Sequence, residues 1–504
     1  MNTYLGIELG STRIKAVTVD SNLTPHSSGS YQWASRFENG VWTYPLSQVW
    51  EGLQEALSQV EHRDTIHGMG VSGMMHGYLA FDKDWNLLTP FRTWQNTMTA
   101  QAAEKLTEAF GFNMPQRWST THLYQAILNQ EDHVSRVAHI TTLAGYVHYM
   151  LTGVNAVGIG EASGIFPIDS AILDYDKAML ATFDAMSGLG KSLIDLLPKV
   201  LVAGESAGAL TEAGAAMLGG LLPVGIPFAP PEGDAGTGMT ATNAVAPRTG
   251  NVSAGTSIFS MVVLERPLKK IYPEICLVTT PTGAPVAMVH CTNCTNDSNA
   301  WISLFNETAT LFGATPNEDL YPKLYEKSLE GDADCGRVLV CNYLAGESVT
   351  HVNAGRPLVV RRPDSKFTLA NFLRATLYST MATLKIGMDI LASEGVVIDS
   401  LTGHGGLFKT PLVGQKYLAA ACNAPVTCMQ TAGEGGPYGM ALLAAYAMQK
   451  QEGQTLEGYL NERVFAKVQG STVAPDEQDV AGFTAYMKDY HALLEVEKTA
   501  IERI

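Results

Sequence analysis

The chain has 504 residues, 46% of them apolar, which is too long for one core to organise and ample for two; two domains of about 250 residues are the starting expectation. Its 49 acidic residues outnumber 33 basic ones, and the net charge of −16 argues against nucleic acid and anionic membrane as partners. Seven cysteines, an odd number in a large acidic chain, fit reduced thiols rather than a disulfide framework.

The N-terminus enters an apolar-alternating stretch within four residues, with no basic region followed by an apolar run, so no secretory signal is expected and the cytoplasm is the expected location. Leu5, Ile7 and Leu9 alternate with small or polar residues, then Gly10, Ser11 and Thr12 turn the chain, and Ile14, Ala16, Val17 and Val19 resume an apolar run. This reads as a β-hairpin with a phosphate-sized turn, in which glycines free for positive φ, amides and hydroxyls can hold phosphate oxygens. A helix follows over 46–60, where Leu46, Val49, Leu53, Ala56, Leu57 and Val60 recur at helical spacing, then a buried strand over 66–71. The segment 72–77, Ser-Gly-Met-Met-His-Gly, leaves that strand at its C-terminal end, where α/β sheets bind ligands. Helices are expected near 99–110, 123–129 and 143–151. The uncharged stretch 213–231 has transmembrane length but is broken by Gly219, Gly220, Pro223, Pro227, Pro230 and Pro231, and reads as helix end, turn and buried strand. That strand leads into Pro231, Glu232, Gly233 and Asp234, and a short helix runs on toward Pro247, near which the domain boundary is placed.

The opening pattern returns about half a chain later as 250–257, Gly-Asn-Val-Ser-Ala-Gly-Thr-Ser, with Gly255, Thr256 and Ser257 at the turn before a second apolar run. Either hairpin alone is equally an ordinary glycine-containing turn; the two in order suggest a duplicated domain with nucleotide between the copies. Cys291 and Cys294 form a lone C-x-x-C that reads as incidental thiols rather than a metal or redox pair. A long helix is expected over 369–394, a strand over 396–402, and a loop at 403–406. A helix over 411–422, a strand over 426–429, a second glycine loop at 433–437 and a small-residue helix over 438–448 follow. The tail from 476 is helical, docked on the outside.

This order of motifs resembles the FGGY carbohydrate kinases of the actin/hexokinase/Hsp70 ATPase superfamily, over nearly the whole chain. Residues 6–12 and 251–257 are similar to the two phosphate hairpins, 231–238 to the segment of the catalytic aspartate, 402–412 to the adenosine region, and 433–443 to the glycine-bearing helix that closes it. Residues 72–77 and 343–347 resemble segments of the D-xylulokinase branch. The resemblance implies an α/β fold of two ribonuclease-H-like domains around a central cleft, closing during turnover. We expect an N-terminal domain over 1–247, a C-terminal domain over 248–450, and a helical tail over 451–504 packed on them.

The same resemblance implies an ATP- and Mg²⁺-dependent kinase acting on the terminal hydroxyl of a ketopentose, D-xylulose first. L-Ribulose or another ketose or polyol is the close alternative, and an ATP-binding switch or non-catalytic sugar sensor the alternative of another class. Asp234 is then the base, although alone it reads as a helix N-cap. Glu8 stands where the family carries Asp and is the candidate magnesium ligand through water, together with Asp234; by itself it reads as a strand residue facing solvent. ATP is expected on Gly10, Ser11, Thr12 and Lys15, on Gly255, Thr256 and Ser257, on Gly405, Gly406 and Lys409, and on Gly435 and Gly436. Met75 and His76 should lie over the sugar and Trp94 stack on it, though His76 also reads as a structural histidine and Trp94 as core. Asn96, which replaces a family Asp, is placed among the sugar contacts; with Met74 in place of a Gln, it bears on which sugar is used. Small-molecule substrate is the expected partner, and a homodimer is what relatives suggest.

Overall fold

A polar, half-exposed strand joins the predicted hairpin at its edge, and three strands open the chain. These are β1 (Thr3–Leu9), β2 (Arg13–Val19) and β3 (Pro25–Gln32), paired antiparallel in succession. The computed structural model describes residues 2–314, 320–430 and 435–504, which divide into two compact units. After the three strands, α1 (Leu46–Ser58) buries Val49, Leu53, Ala56 and Leu57 against β2 and β3. β4 (Ile66–Gly73) then returns parallel to β1.

Three helices follow, α2 (Ala100–Phe110), α3 (Ser119–Leu128) and α4 (Leu143–Thr152), at the predicted places. The expected buried strand before Asp234 is shorter than its apolar run implies. Phe228 makes only an isolated bridge with Met69, and β5 is the two residues Glu232–Gly233, parallel to β4. Pro230 and Pro231 deny the ladder two amide donors here. α5 (Asp234–Ala241) ends well before Pro247. The first sheet runs β5-β4-β1-β2-β3.

The second unit repeats this order. β6 (Thr249–Ala254) and β7 (Ile258–Val263) form the second hairpin, with β8 (Pro285–Cys291) beyond it. The expected long helix, α6 (Leu369–Ser393), buries an apolar stripe of Phe372, Leu373, Leu377, Leu384, Met388 and Leu391. β9 (Ser400–His404) is parallel to β6; it starts four residues and ends two residues later than expected. α7 (Val413–Cys422) and β10 (Val426–Met429) continue the unit. In strand order, β8-β7-β6-β9-β10 reproduces β3-β2-β1-β4-β5, so the recurrence of the hairpin motif is a recurrence of topology.

The chain then goes back to the first compact unit. α8 (Gly435–Gln449) packs on β1, β4 and α5, and residues 435–468 and 263–286 group with the first unit. The cause is a close fit: a Cβ on Gly6 of β1 would lie 1.9 Å from the Pro437 carbonyl oxygen and 2.4 Å from the Ala441 amide nitrogen. Gly433 and Glu434 of the predicted loop lie outside the described residues. The tail also divides, since β11 (Gly470–Val473) and α9 (Glu477–Arg503) belong to the second unit. There Asp479 of α9 pairs with Arg374 and Lys416, each at 2.5 Å, and Phe483, Tyr486 and Tyr490 are buried.

Candidate active site

The register of three parallel strands aligns Glu8, Ser72 and Glu232 in one row, with Leu9, Gly73 and Gly233 in the next. All three strands therefore end together, and Gly10, Met74 and Asp234 leave the sheet at the edge where parallel strands present ligand sites.

Asp234 opens α5 and is exposed. The Met75 amide donates to its Oδ1 at 3.4 Å. Although solvent reaches the carboxyl, the protein around it displaces enough water to raise it to about 6, against the lowering effect of the Met75 and Ala235 amides and of the Arg117 charge. Glu8 is half-buried, not directed outward as an isolated strand glutamate would be. Burial raises its carboxyl to about 7; Lys15, opposite it in the hairpin, lowers it, and Asp234 raises it. Lys15 thus faces Glu8. Gly436 lies against the same carboxyl, since a Cβ there would fall 2.1 Å from Glu8 Oε1 and 3.2 Å from Thr237 Oγ1.

In the first hairpin, the Gly10 amide donates to the Arg13 carbonyl at 3.0 Å. The loop is fixed from outside: the Trp33 indole donates to Gly10 O at 2.7 Å, the Tyr44 hydroxyl to Ser11 O at 2.7 Å, and the Trp94 indole to Ser11 Oγ at 3.3 Å. The Thr12 side chain and a 39%-exposed Trp94 remain open to solvent. The expected positive φ is absent at Gly10 and at Gly255. The strain lies instead at His76, a non-glycine residue at φ +72°, next to Gly77 at +85°. His76 is buried, its Nδ1 is 3.3 Å from the Gly164 carbonyl oxygen, and its ring stacks on Trp118 at 6.2 Å. Burial, then the Arg117 charge, push its pKa well below the usual histidine value, so the ring is neutral. Met75 beside it is buried as well.

Asn96, expected among the sugar contacts, is held by the backbone of its own loop and of Trp42. It is 3% exposed; its Oδ1 accepts from the Trp42 amide at 2.9 Å, and its Nδ2 donates to the Trp42 carbonyl at 2.8 Å and the Thr93 carbonyl at 3.0 Å. Both ends of the amide are engaged by the backbone, which fixes its orientation. Sequence reasoning also missed Trp118 against His76 and three residues around Asp234: Arg117 and two buried glutamates, Glu161 and Glu232.

In the second unit, Gly255, Thr256 and Ser257 form the β6–β7 turn, closed by a Gly255 amide to Ser257 carbonyl bond of 2.9 Å. The Thr295 hydroxyl supports it from behind, donating to Gly255 O at 2.7 Å, and the Thr256 side chain is exposed. Gly405 at φ +94° turns the chain after β9 and passes so near β6 that a Cβ would lie 2.5 Å from Ala254 O. Gly406 and Lys409 follow, exposed. Gly435 and Gly436, expected with this group, belong to the first unit. Cys291 and Cys294 are buried free thiols, both pushed up by burial.

Each hairpin can present amides and hydroxyls to phosphate oxygens, and the Asp234 carboxylate can accept a proton. Among the described residues, no group of three or more His, Cys, Asp or Glu is arranged to hold a metal ion. Two mutually repelling carboxylates, Glu8 and Asp234, nonetheless suit an ion that takes one or two carboxylates and keeps its waters. No helix among the described residues is long and apolar enough to cross a membrane.

Comparison with known proteins agrees with this arrangement. The chain is 22% identical over 467 residues to the xylulose kinase of Haemophilus influenzae, covering 88% of this chain and 90% of that one. Its fold matches the crystal structure of xylulose kinase from Rhodospirillum rubrum with a TM-score of 0.81, at 18% identity and over 100% of both chains. It also matches that of gluconate kinase from Lactobacillus acidophilus at 0.80, with 16% identity over 98% of each. The N-terminal domain of the FGGY family of carbohydrate kinases matches residues 3–240 and the C-terminal domain residues 250–448. With both halves matched in order, the chain belongs to the FGGY family of carbohydrate kinases and is a phosphotransferase.

Proposed function

We propose that this kinase transfers the γ-phosphate of ATP to the terminal hydroxyl of a ketopentose, D-xylulose first and L-ribulose second, with Asp234 as the base. The observation that carries this reading is the position of Asp234. Its carboxyl ends β5 at the helix start, tied by the Met75 amide to the segment that carries His76. The xylulose kinases among its relatives support the choice of sugar.

Phosphoryl transfer asks the protein for position and charge neutralisation. A carboxyl raised to about 6 is mostly ionised at neutral pH, yet basic enough to take a hydroxyl proton as the bond to phosphorus forms. A neutral His76 offers hydrogen bonding to sugar hydroxyls without adding charge beside the base. In the first unit Ser11 and Thr12 are the candidate phosphate contacts; in the second unit the candidates are Thr256 and Ser257 for phosphate and Gly405, Gly406 and Lys409 for adenosine. Bound Mg²⁺ would neutralise the phosphate oxygens, with Glu8 and Asp234 holding its waters. Lys15, opposite Glu8 in the hairpin, lowers that carboxyl and remains a candidate phosphate contact with Ser11 and Thr12.

A coupled ADP-release assay with MgATP against ketoses, aldoses, polyols and sugar acids tests the proposal. Turnover should be highest with D-xylulose and fall by orders of magnitude in Asp234→Ala, with ADP binding retained. Turnover unimpaired in that variant removes the assignment of the base; a preference for an aldose or sugar acid removes that of the sugar.

A further inference from the structure

Two buried carboxyls behind the β5–α5 turn have no part in the chemistry above. Glu232 is 2% exposed and Glu161 fully buried. The Glu161 amide donates to Glu232 Oε1 at 2.7 Å. Glu232 fills space left by glycines across from it: a Cβ on Gly158 would lie 2.4 Å from its Oε2, and one on Gly160 2.2 Å from its Oε1. The relation is reciprocal. A Cβ on Gly233 would fall 2.5 Å from Glu161 Oε2 and 2.8 Å from Met75 Cγ. Thus each glutamate occupies a gap in the other's segment, and Met75, whose amide reaches Asp234, closes the same contact. No donor meets hydrogen-bond geometry at either Glu161 oxygen, although the Thr142 hydroxyl is near enough to favour its charged form.

We propose that Glu232 is a positioning residue for phosphoryl transfer, a peg whose carboxyl locks the 158–161 segment against the β5–α5 turn and so fixes Asp234 relative to the Met75 amide. This rests on the reading of Asp234 as the base. An ordinary packing residue could be a leucine or methionine of similar volume; the feature here is a carboxyl seated on a backbone amide between two glycines. Small displacements of a base cost rate without costing nucleotide affinity, which separates positioning from general destabilisation.

The test compares Glu232→Ala, Glu232→Gln and Gly160→Ala in the full-length enzyme, with kcat and KM measured on D-xylulose and MgATP, and ADP affinity by calorimetry. Glu232→Ala should lose at least tenfold in kcat with ADP affinity unchanged, and Glu232→Gln, which keeps the shape, should recover most of that loss. Gly160→Ala, which pushes the peg, should show the same kcat-selective loss, and adding it to Glu232→Ala should cost nothing further. Gly160→Ala also keeps the test alive if Glu232→Ala does not fold. A kcat within threefold of wild type in Glu232→Ala, a Gln variant no better than Ala, or equal losses of kcat and ADP affinity would each overturn the proposal. If D-xylulose is not turned over, the same comparison is read on the transfer of the γ-phosphate of MgATP to water, giving ADP and phosphate; that failure sinks the sugar assignment alone.

Discussion

Replacing Glu232 by Gln should change how stability depends on pH, and the structure sets both sign and size. Burial raises this carboxyl from 4.5 to about 8, against the lowering effect of the Glu161, Gly233 and Gly160 amides. Between those two values the folded chain holds a proton that the unfolded chain has released. Stability is therefore complete below about pH 4.5 and is lost as pH rises through about 8. At 1.36 kcal/mol per pH unit, a difference of 3.5 units corresponds to about 5 kcal/mol as an upper figure. Gln cannot ionise, so the variant avoids this loss. Urea unfolding of both proteins from pH 5 to 9 reads it: the variant's stability relative to wild type should climb by a few kcal/mol across that range, most steeply between pH 5 and 8. A difference that stays flat would refute the reasoning, because it would mean that Glu232 ionises in the folded protein as readily as in the unfolded one.

Gly6→Ala places a Cβ 1.9 Å from Pro437 O and 2.4 Å from the Ala441 amide; both obstacles are backbone, so α8 must lift from β1, at a cost of about 1–3 kcal/mol or more and a lower melting temperature in a thermal scan. Gly436→Ala meets instead the far end of a flexible side chain, Glu8 Oε1 at 2.1 Å, and should leave the melting temperature nearly unchanged while turnover in the ADP-release assay drops at least about tenfold. Asn96→Asp replaces the amide that donates to the Trp42 and Thr93 carbonyls with an oxygen facing them, costing about 1–3 kcal/mol in urea unfolding; the sugar preference across the panel should not move. The kcat/KM profile should rise with pH through about 6, where Asp234 loses its proton, and a profile level from pH 5 to 8 would count against Asp234 as the base.

What the sequence made legible was local. The hairpins rest on alternation within twenty residues, and the stripe of α6 on spacing within one helix, so both could be found from composition and period alone. At Asp234 and Glu8 the residues alone read as a helix N-cap and a strand glutamate, and only the order of motifs along the chain singled them out as candidates. Glu161 and Glu232 stand 71 residues apart and each looks unremarkable in its neighbourhood; what gives them meaning is that Gly158, Gly160 and Gly233 leave room for the opposite carboxyl, a fact of distance in space. The surroundings of Asn96 were hidden for the same reason. A substitution of Asp by Asn reads, along the sequence, as a charged contact made neutral, yet the folded loop turns the amide inward to hold Trp42. The small residues of the helix at 435–449 were legible in the sequence, but that its backbone at Pro437 and Ala441 closes on Gly6 was not, and that contact groups it with the first unit. Small residues report that something comes near, and only the fold says what.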